Sequence, residues 1–243
     1  MIMSRLPLLA LLVLASLPAP GRGAPPLQTR NLSITGFDRV RIDGPYQVRL
    51  KTDVSPFARA TGANAAALDS VAIKVEGRTL VVRPASGGWG GYPGERRGPV
   101  TIEVGTHELA TVWLNGAGSL LIDKVRGLIF DLAINGAGSA RIDTVDVDQF
   151  KLRMSGAGTT QLSGKASRLN AVVRGSSSFN GEALRVRDAT INAEGPSSVW
   201  LAASETAKVD AMGLAAVNLS GNPACVVEAQ GSASVSGCRG DRR

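Results

Sequence analysis

The sequence predicts an all-β chain wound into a right-handed parallel β-solenoid, with rungs of about 18–20 residues and an N-terminal β cap. Three observations predict it. A glycine opens a short small-residue phrase at Gly116 (GAGS), Gly136 (GAGS), Gly156 (GAGT), Gly175 (GSSS), Gly195 (GPSS), Gly213 (GLAA) and Gly231 (GSAS), at intervals of 20, 20, 19, 20, 18 and 18 residues. Apolar residues recur two and four positions before each glycine, and four and six after it. Helical patterning is nearly absent, and aromatic residues make up only 4% of the chain.

A fixed period of this size marks an array in which each unit stacks on the next. The slot four before each glycine holds Val112, Leu132, Leu152, Ala171, Ile191, Val209 and Val227. The slot two before holds Leu114, Ile134, Met154, Val173, Ala193, Ala211 and Ala229. Four after stand Leu120, Ala140, Thr160, Phe179, Val199, Val217 and Val235; six after stand Ile122, Ile142, Leu162, Gly181, Leu201, Leu219 and Gly237. A spacing of two is the strand period, so each unit reads as strand, glycine corner, strand, with these slots in the core. The intervening residues are mixed (Trp113, Ala133, Arg153; Leu121, Arg141, Gln161, Asn180) and are expected to face solvent. A sandwich about 10 Å thick needs large side chains to fill it, whereas a stacked coil needs only small and medium aliphatics. Glycine suits the corner because it accepts positive φ. Ser119, Ser139, Thr159, Ser178 and Ser198 all fall three after the glycine and are expected to form a ladder. The six-residue punctuation of left-handed hexapeptide helices is missing, which favours the right-handed form.

The ends read differently. Residues 6–17, LPLLALLVLASL, are an apolar run too short to span a bilayer, and with Arg5 before them and small residues after they read as a secretory signal occupying residues 1–23. Residues 24–36 read as a linker and 239–243 as a tail, leaving 37–238 as one domain: a cap with first strands over 37–111, and the repeat array over 112–238. GPYQVRL at 44–50 matches GPSSVWL at 195–201, with Val40 and Ile42 in the preceding apolar slots, so Gly44 is a corner of the same kind. Residues 71–84, VAIKVEGRTLVVRP, read as two strands joined at Glu76–Gly77, and 100–104, VTIEV, as another. The cap is expected to cover a solenoid end that would otherwise expose unpaired strand edges.

The order FDRVRIDGPYQVRL, VAIKVEGRTLVV, VTIEV and then tandem NGAGS phrases resembles the head GIN domain family. The resemblance covers roughly residues 37–238. It implies an exported bacterial β-solenoid with an adhesin-like role and brings no catalytic residues. A self-exporting member needs a membrane barrel of at least eight strands of about ten residues. The residues after Gly231 leave no room for one, so another route of export is expected, to the periplasm or the cell surface.

Composition narrows the function classes. The formal charge of +7 falls to +5 once Arg5 and Arg22 leave with the signal, and the cations are scattered without aromatic interleaving, which argues against nucleic-acid binding. No later stretch is apolar enough to cross a membrane. Cys225 and Cys238 in an exported chain are expected to form one disulfide. Two Cys and the lone His107 make no zinc set, and no metal or cofactor is expected. β-Solenoids also carry polysaccharide lyases and hydrolases, so a carbohydrate-active enzyme is the alternative to a non-enzymatic envelope protein. Asp123 and Asp143 stack on adjacent rungs but read as corner caps. Asn115 and Asn135 read as a hydrogen-bonded ladder, and Asp131 with Lys151 as a surface ion pair. Ser177, Ser178 and His107 lack catalytic partners, and RGD at 239–241 is a short match in a tail. The candidate ligand-binding segment is the glycine-rich loop 85–98. There Trp89 and Tyr92 offer stacking surfaces for sugar rings, and Arg96 and Arg97 offer charge pairing. The expected partner is an envelope polysaccharide or another envelope protein.

Overall fold

Strand alternation and glycine corners produce a coil in which one rung lies directly on the next. The computed structural model describes residues 27–86 and 98–240. The cap comprises β1 (Gln28–Leu32), β2 (Arg39–Asp43), β3 (Gln47–Lys51), β4 (Phe57–Gly62), the one-turn helix α1 (Ala65–Asp69), β5 (Val71–Glu76), β6 (Thr79–Pro84) and β7 (Thr101–Gly105). The array begins at β8 (Thr111–Gly116) and continues through five long strands, each running from one corner to the next. These are β9 (Ser119–Gly136), β10 (Ser139–Gly156), β11 (Thr159–Gly175), β12 (Ser178–Glu194) and β13 (Ser198–Gly213). The last coil is built from β14 (Ala216–Ser220), β15 (Ala224–Gly231) and β16 (Ser234–Ser236). Strands β9 to β13 pair in parallel with their neighbours, giving a β-solenoid of about six turns.

The expected core slots are inside. Ile42, Leu114, Ile134, Met154, Val173, Ala193 and Ala211 occupy one column in register, each at most 1% exposed. Full burial of such aliphatic side chains stabilises by about 1.5–3 kcal/mol each. Thr160 keeps its slot because its buried hydroxyl donates to the Met154 sulfur at 3.4 Å. Phe179 fills the space beside Gly181, where a Cβ would meet its ring at 2.9 Å. The slots open only on the last rung, where Val227 is 41% exposed and Ala229, Val235 and Gly237 are not buried. Each slot is covered from both neighbouring rungs, and no described strand stacks beyond β15 and β16. Ala133, expected outside, is buried, its methyl lying in register between the larger Trp113 and Arg153.

A second small-residue column escapes the apolar pattern. Two residues after each corner, Gly118, Gly138, Gly158, Ser177, Ser197 and Ala215 also point inward. A Cβ on Gly138 would meet Leu114 at 2.8 Å, and one on Gly158 would meet Ile134 at 3.0 Å. Where the facing column shrinks to Ala193 and Ala211, this one gains volume as Ser197 and Ala215. Tyr46 ends the column at the cap, 8% exposed, and burial raises its phenol pKa above the ordinary value.

The remaining side of each rung carries a further core column, Phe130, Phe150, Leu169, Ala189 and Ala207, absent from the periodic slots. Phe130 and Phe150 pack with ring centroids 5.3 Å apart. Register irregularities fall on this side, after Ile142, Gln161 and Gly181. Rungs of 18 to 20 residues therefore share identical corners and differ only here.

The cap begins the sheets, as expected, and continues them outward to edge strands β1 and β5 rather than covering their end. β2 lies parallel to β8 and β3 to β9, placing the Gly44 corner under the Gly116 corner. β5 and β6 form the expected antiparallel hairpin, with β6 added to β2. β4 pairs antiparallel with β7. The stretch read as a linker contains β1, which pairs antiparallel with β4 and forms the outer edge. That strand has no apolar alternation (QTRNL), so only its pairing reveals it.

The eight corner glycines, Gly44 included, have φ between 77° and 125°. At Gly156 a side chain would meet strain and contact together, since φ is 115° and a Cβ would lie 2.5 Å from the Gly136 carbonyl oxygen. Gly156→Ala is expected to destabilise by about 1–3 kcal/mol from backbone strain, before any cost of the contact. Ile134→Ala is expected to cost about 2–4 kcal/mol, since a core walled by neighbouring rungs cannot collapse around the hole. Denaturant titration of both variants against the wild type checks both values.

Cys225 and Cys238 are bonded, with Cα atoms 5.7 Å apart. Cys225 continues the column of Ala207, and Cys238 packs on the same core from a segment that Arg239 pins by donating its backbone N–H to the Pro223 carbonyl at 2.9 Å. The bond ties down the last of the described rungs. Reduction, or Cys225→Ser with Cys238→Ser, is expected to cost about 3 kcal/mol for a loop of this length. Thermal melts with and without reductant measure it, and hydrogen exchange should localise the loss to residues 224–238.

Candidate functional site

The outward residues of the rungs stack into columns as regular as those of the core. Ser119, Ser139, Thr159, Ser178 and Ser198 lie in register as the expected ladder. The residue just before each corner forms another. Asn135 donates through Nδ2 to Asn115 Oδ1 at 3.0 Å, and Asn115 donates through Nδ2 to Asp43 Oδ1 at 2.7 Å. The asparagine ladder thus runs on into the cap and ends on a carboxylate.

A cavity of about 500 Å³ opens where this ladder meets the β5–β6 hairpin, lined by Arg41, Glu76, Thr79, Val81, Trp113 and Asn115. Register places Val81, Arg41 and Trp113 on three successive strands, β6, β2 and β8. Their side chains share the outer face because each precedes an inward residue: Val82, Ile42 and Leu114. Trp113 is half-buried. Arg41 is held by Asp43, with Nε 3.1 Å from Oδ1 and 2.9 Å from Oδ2. Glu76 lies 3.7 Å from Arg83. The charges in and around the cavity are therefore paired, and its polar groups are fixed by neighbours rather than free to wander. Arg41 and Trp113 both stand three before a corner glycine, so their adjacency is readable from the repeat. The hairpin wall, Glu76, Thr79 and Val81, lies outside the repeat and is not.

Other expected candidates resolve into structural roles. Asp123 Oδ1 accepts from the amides of Lys124 at 2.7 Å and Thr52 at 3.1 Å, the corner-capping role expected of it. Asp143, also expected to cap a corner, is instead paired with Arg141 at 2.7 Å, because the guanidinium two residues back on the same face reaches it. Asp131 and Lys151 are register partners, but Asp131 instead takes both oxygens to Arg153 Nη2 at 2.9 Å. The guanidinium reaches across two residues to satisfy the carboxylate, a correction to the expected Lys151 pair. His107 is exposed at the end of β7. Ser177 is buried, with its hydroxyl donating to the Arg174 carbonyl at 3.0 Å. Among the described residues, no group of three or more His, Cys, Asp or Glu side chains is placed to hold a metal ion. The loop residues Trp89, Tyr92, Arg96 and Arg97 lie outside the described residues, as do residues 1–23, expected to be a signal.

A second hollow, about 310 Å³, lies on the irregular side of the rungs and brings together Asp146, Asp148, Lys165, Arg185 and Arg187. These are the residue types a glycan-cleaving site requires. Three of them are held in exposed ion pairs, Lys165 3.3 Å from Asp146 and Arg187 3.4 Å from Glu205 outside the hollow, these four side chains being at least 43% exposed. Without burial, the field that tunes a catalytic carboxylate is screened by water.

Comparison with known proteins follows the fold. A crystal structure of a "putative adhesin" from Bacteroides fragilis superposes with a TM-score of 0.73 at 14% identity, covering 86% of this chain and 96% of that one. A "putative adhesin" from Parabacteroides merdae gives 0.64 at 14% identity, covering 86% and 95%. A "putative lipid binding protein" from Parabacteroides distasonis gives 0.66 at 18% identity, again covering 86% and 95%. At these identities the likeness is one of fold. No curated protein matches the sequence. The family model described as "Putative auto-transporter adhesin, head GIN domain" matches residues 36–223, from just before the Gly44 unit to the final coil, and the chain belongs to that family.

Proposed function

We propose that this chain is a non-enzymatic, exported cell-envelope protein that binds or scaffolds, with an envelope polysaccharide or another envelope protein as its partner. The observation that carries the reading is the outer surface of the array. Hydroxyl, amide and charged side chains recur on every rung at the spacing of stacked strands, about 4.8 Å, in register over β9 to β13. A periodic surface of this kind matches a partner that is itself extended and repetitive. The adhesin description of the family supports the same reading, and the apolar run at residues 6–17 supports export. Among the described residues, no helix is long and apolar enough to cross a membrane. In this reading loop 85–98 contributes Trp89 and Tyr92 as stacking surfaces and Arg96 and Arg97 as charge partners for acidic groups.

Purified protein lacking residues 1–23, passed over immobilised envelope polysaccharide and over separated envelope proteins, is expected to be retained by one of them. Trp89→Ala is expected to reduce retention on polysaccharide. Loss of Arg96 and Arg97 is expected to reduce it more at low salt than at high salt, because screening already removes part of their contribution. Retention by neither material, or release of new sugar ends during incubation, overturns the reading, the second outcome in favour of a carbohydrate-active enzyme.

A further inference from the structure

We propose that the cavity over Trp113 binds one neutral pyranose ring of a glycan, an inference that rests on the binding role above and names its ligand class. The volume, about 500 Å³, lies within the usual range of small-molecule sites. Its shape follows from side-chain size along one outward column. Trp113 is flanked in register by Arg41 on β2 and by the small Ala133 on β9, so the large ring is not matched by another on either side. A half-buried indole beside a hollow offers the apolar face that a sugar's C–H surface covers, while the hydroxyls at the ring edge need both donors and acceptors. Both kinds are present. The Arg41 Nε is occupied by Asp43, which orients the guanidinium and leaves its terminal N–H groups as donors. The Asn115 amide is fixed at both ends, by Asn135 and Asp43, with one Nδ2 hydrogen left over. Thr79 adds a hydroxyl and Glu76 a carboxylate acceptor. Fixed polar groups lose little freedom on binding.

Charge decides the class of sugar. Arg41 is balanced by Asp43 and Glu76 by Arg83, so the cavity has no net positive field to select a uronic acid or a phosphate.

The experiment follows the Trp113 indole N–H resonance, assigned with Trp113→Phe. The probes are the methyl glycosides of glucose, galactose, mannose and N-acetylglucosamine, with galacturonate as the acidic one. At least one neutral glycoside is expected to shift that resonance saturably. Trp113→Ala is expected to weaken the binding about tenfold, Arg41→Lys to weaken it by losing the planar fork, and Trp200→Ala, outside the cavity, to leave it unchanged. If Trp113→Ala does not fold, as judged by its melt, the indole shifts and Arg41→Lys decide. The proposal is overturned if no neutral glycoside moves the Trp113 resonance, if only galacturonate does, or if the cavity variants bind as tightly as wild type. Should the protein still be retained by envelope polysaccharide in that case, the cavity assignment falls and the envelope-binding role stands. Loss of both readouts removes both.

Discussion

Backbone stacked on backbone at the glycine corner is the constraint from which the rest of this molecule follows. The Ala137 amide donates to the Gly116 carbonyl and the Ala157 amide to the Gly136 carbonyl, each at 3.0 Å or less. Contacts of that kind leave no room for a Cβ between the corners, and the corner residue must take positive φ. Once the corners are locked, the side chains two and four residues to either side have fixed directions and fixed neighbours above and below. The core is therefore assembled column by column. Volume is exchanged within a corner: Gly118, Gly138 and Gly158 accompany Leu114, Ile134 and Met154, whereas Ser197 and Ala215 accompany Ala193 and Ala211. Close packing needs only the sum to be right.

The freedom denied to the corners is moved to the third side. Bulges and changes of rung length gather there, between the slot six after the glycine and the Phe130 column. Backbone irregularity re-aims side chains and opens concave surface, and the charged hollow around Asp146 and Arg185 lies on that side. An added residue on that side disturbs no corner, and the rungs of this chain differ in length there. The corners keep the fold, and the third side absorbs the differences between rungs.

Legibility in the sequence follows the same division. The slots around Gly116 to Gly213 could be read directly, because a corner repeated at nearly constant spacing aligns its flanks without a structure. The Phe130 and Phe150 column could not be read forward from the preceding corner, since that count varies from 12 to 14, although it stands six before the next corner on every rung. β1 could not either, for its QTRNL sequence has no apolar alternation and is held by pairing with β4. The Arg153 pair with Asp131 displaced the expected Lys151 because the long guanidinium reaches diagonally, a choice that register alone does not settle. Of the candidate site, Arg41, Trp113 and Asn115 carry repeat positions that predict their contact. Glu76, Thr79 and Val81 come from a hairpin whose docking onto β2 is a tertiary fact.

Translational symmetry also explains where a discrete site can exist on such a scaffold. Identical rungs present identical surfaces, so a uniform array yields flat faces suited to long partners and poor at enclosing small ones. Enclosure requires a break in the repeat. The cap supplies one: β2 is sandwiched between β8, which belongs to the array, and β6, which belongs to the hairpin, so two unlike strands face each other across it. The outward column there passes from Trp113 through Arg41 to Val81, large to small, and the step between sizes becomes a cavity. The asparagine ladder terminates at the same point on Asp43, which converts a repeating surface bond into a fixed anchor for Arg41. The hairpin strand added to β2 thereby supplies the wall of the cavity over Trp113, where the repeat of the array gives way to the cap.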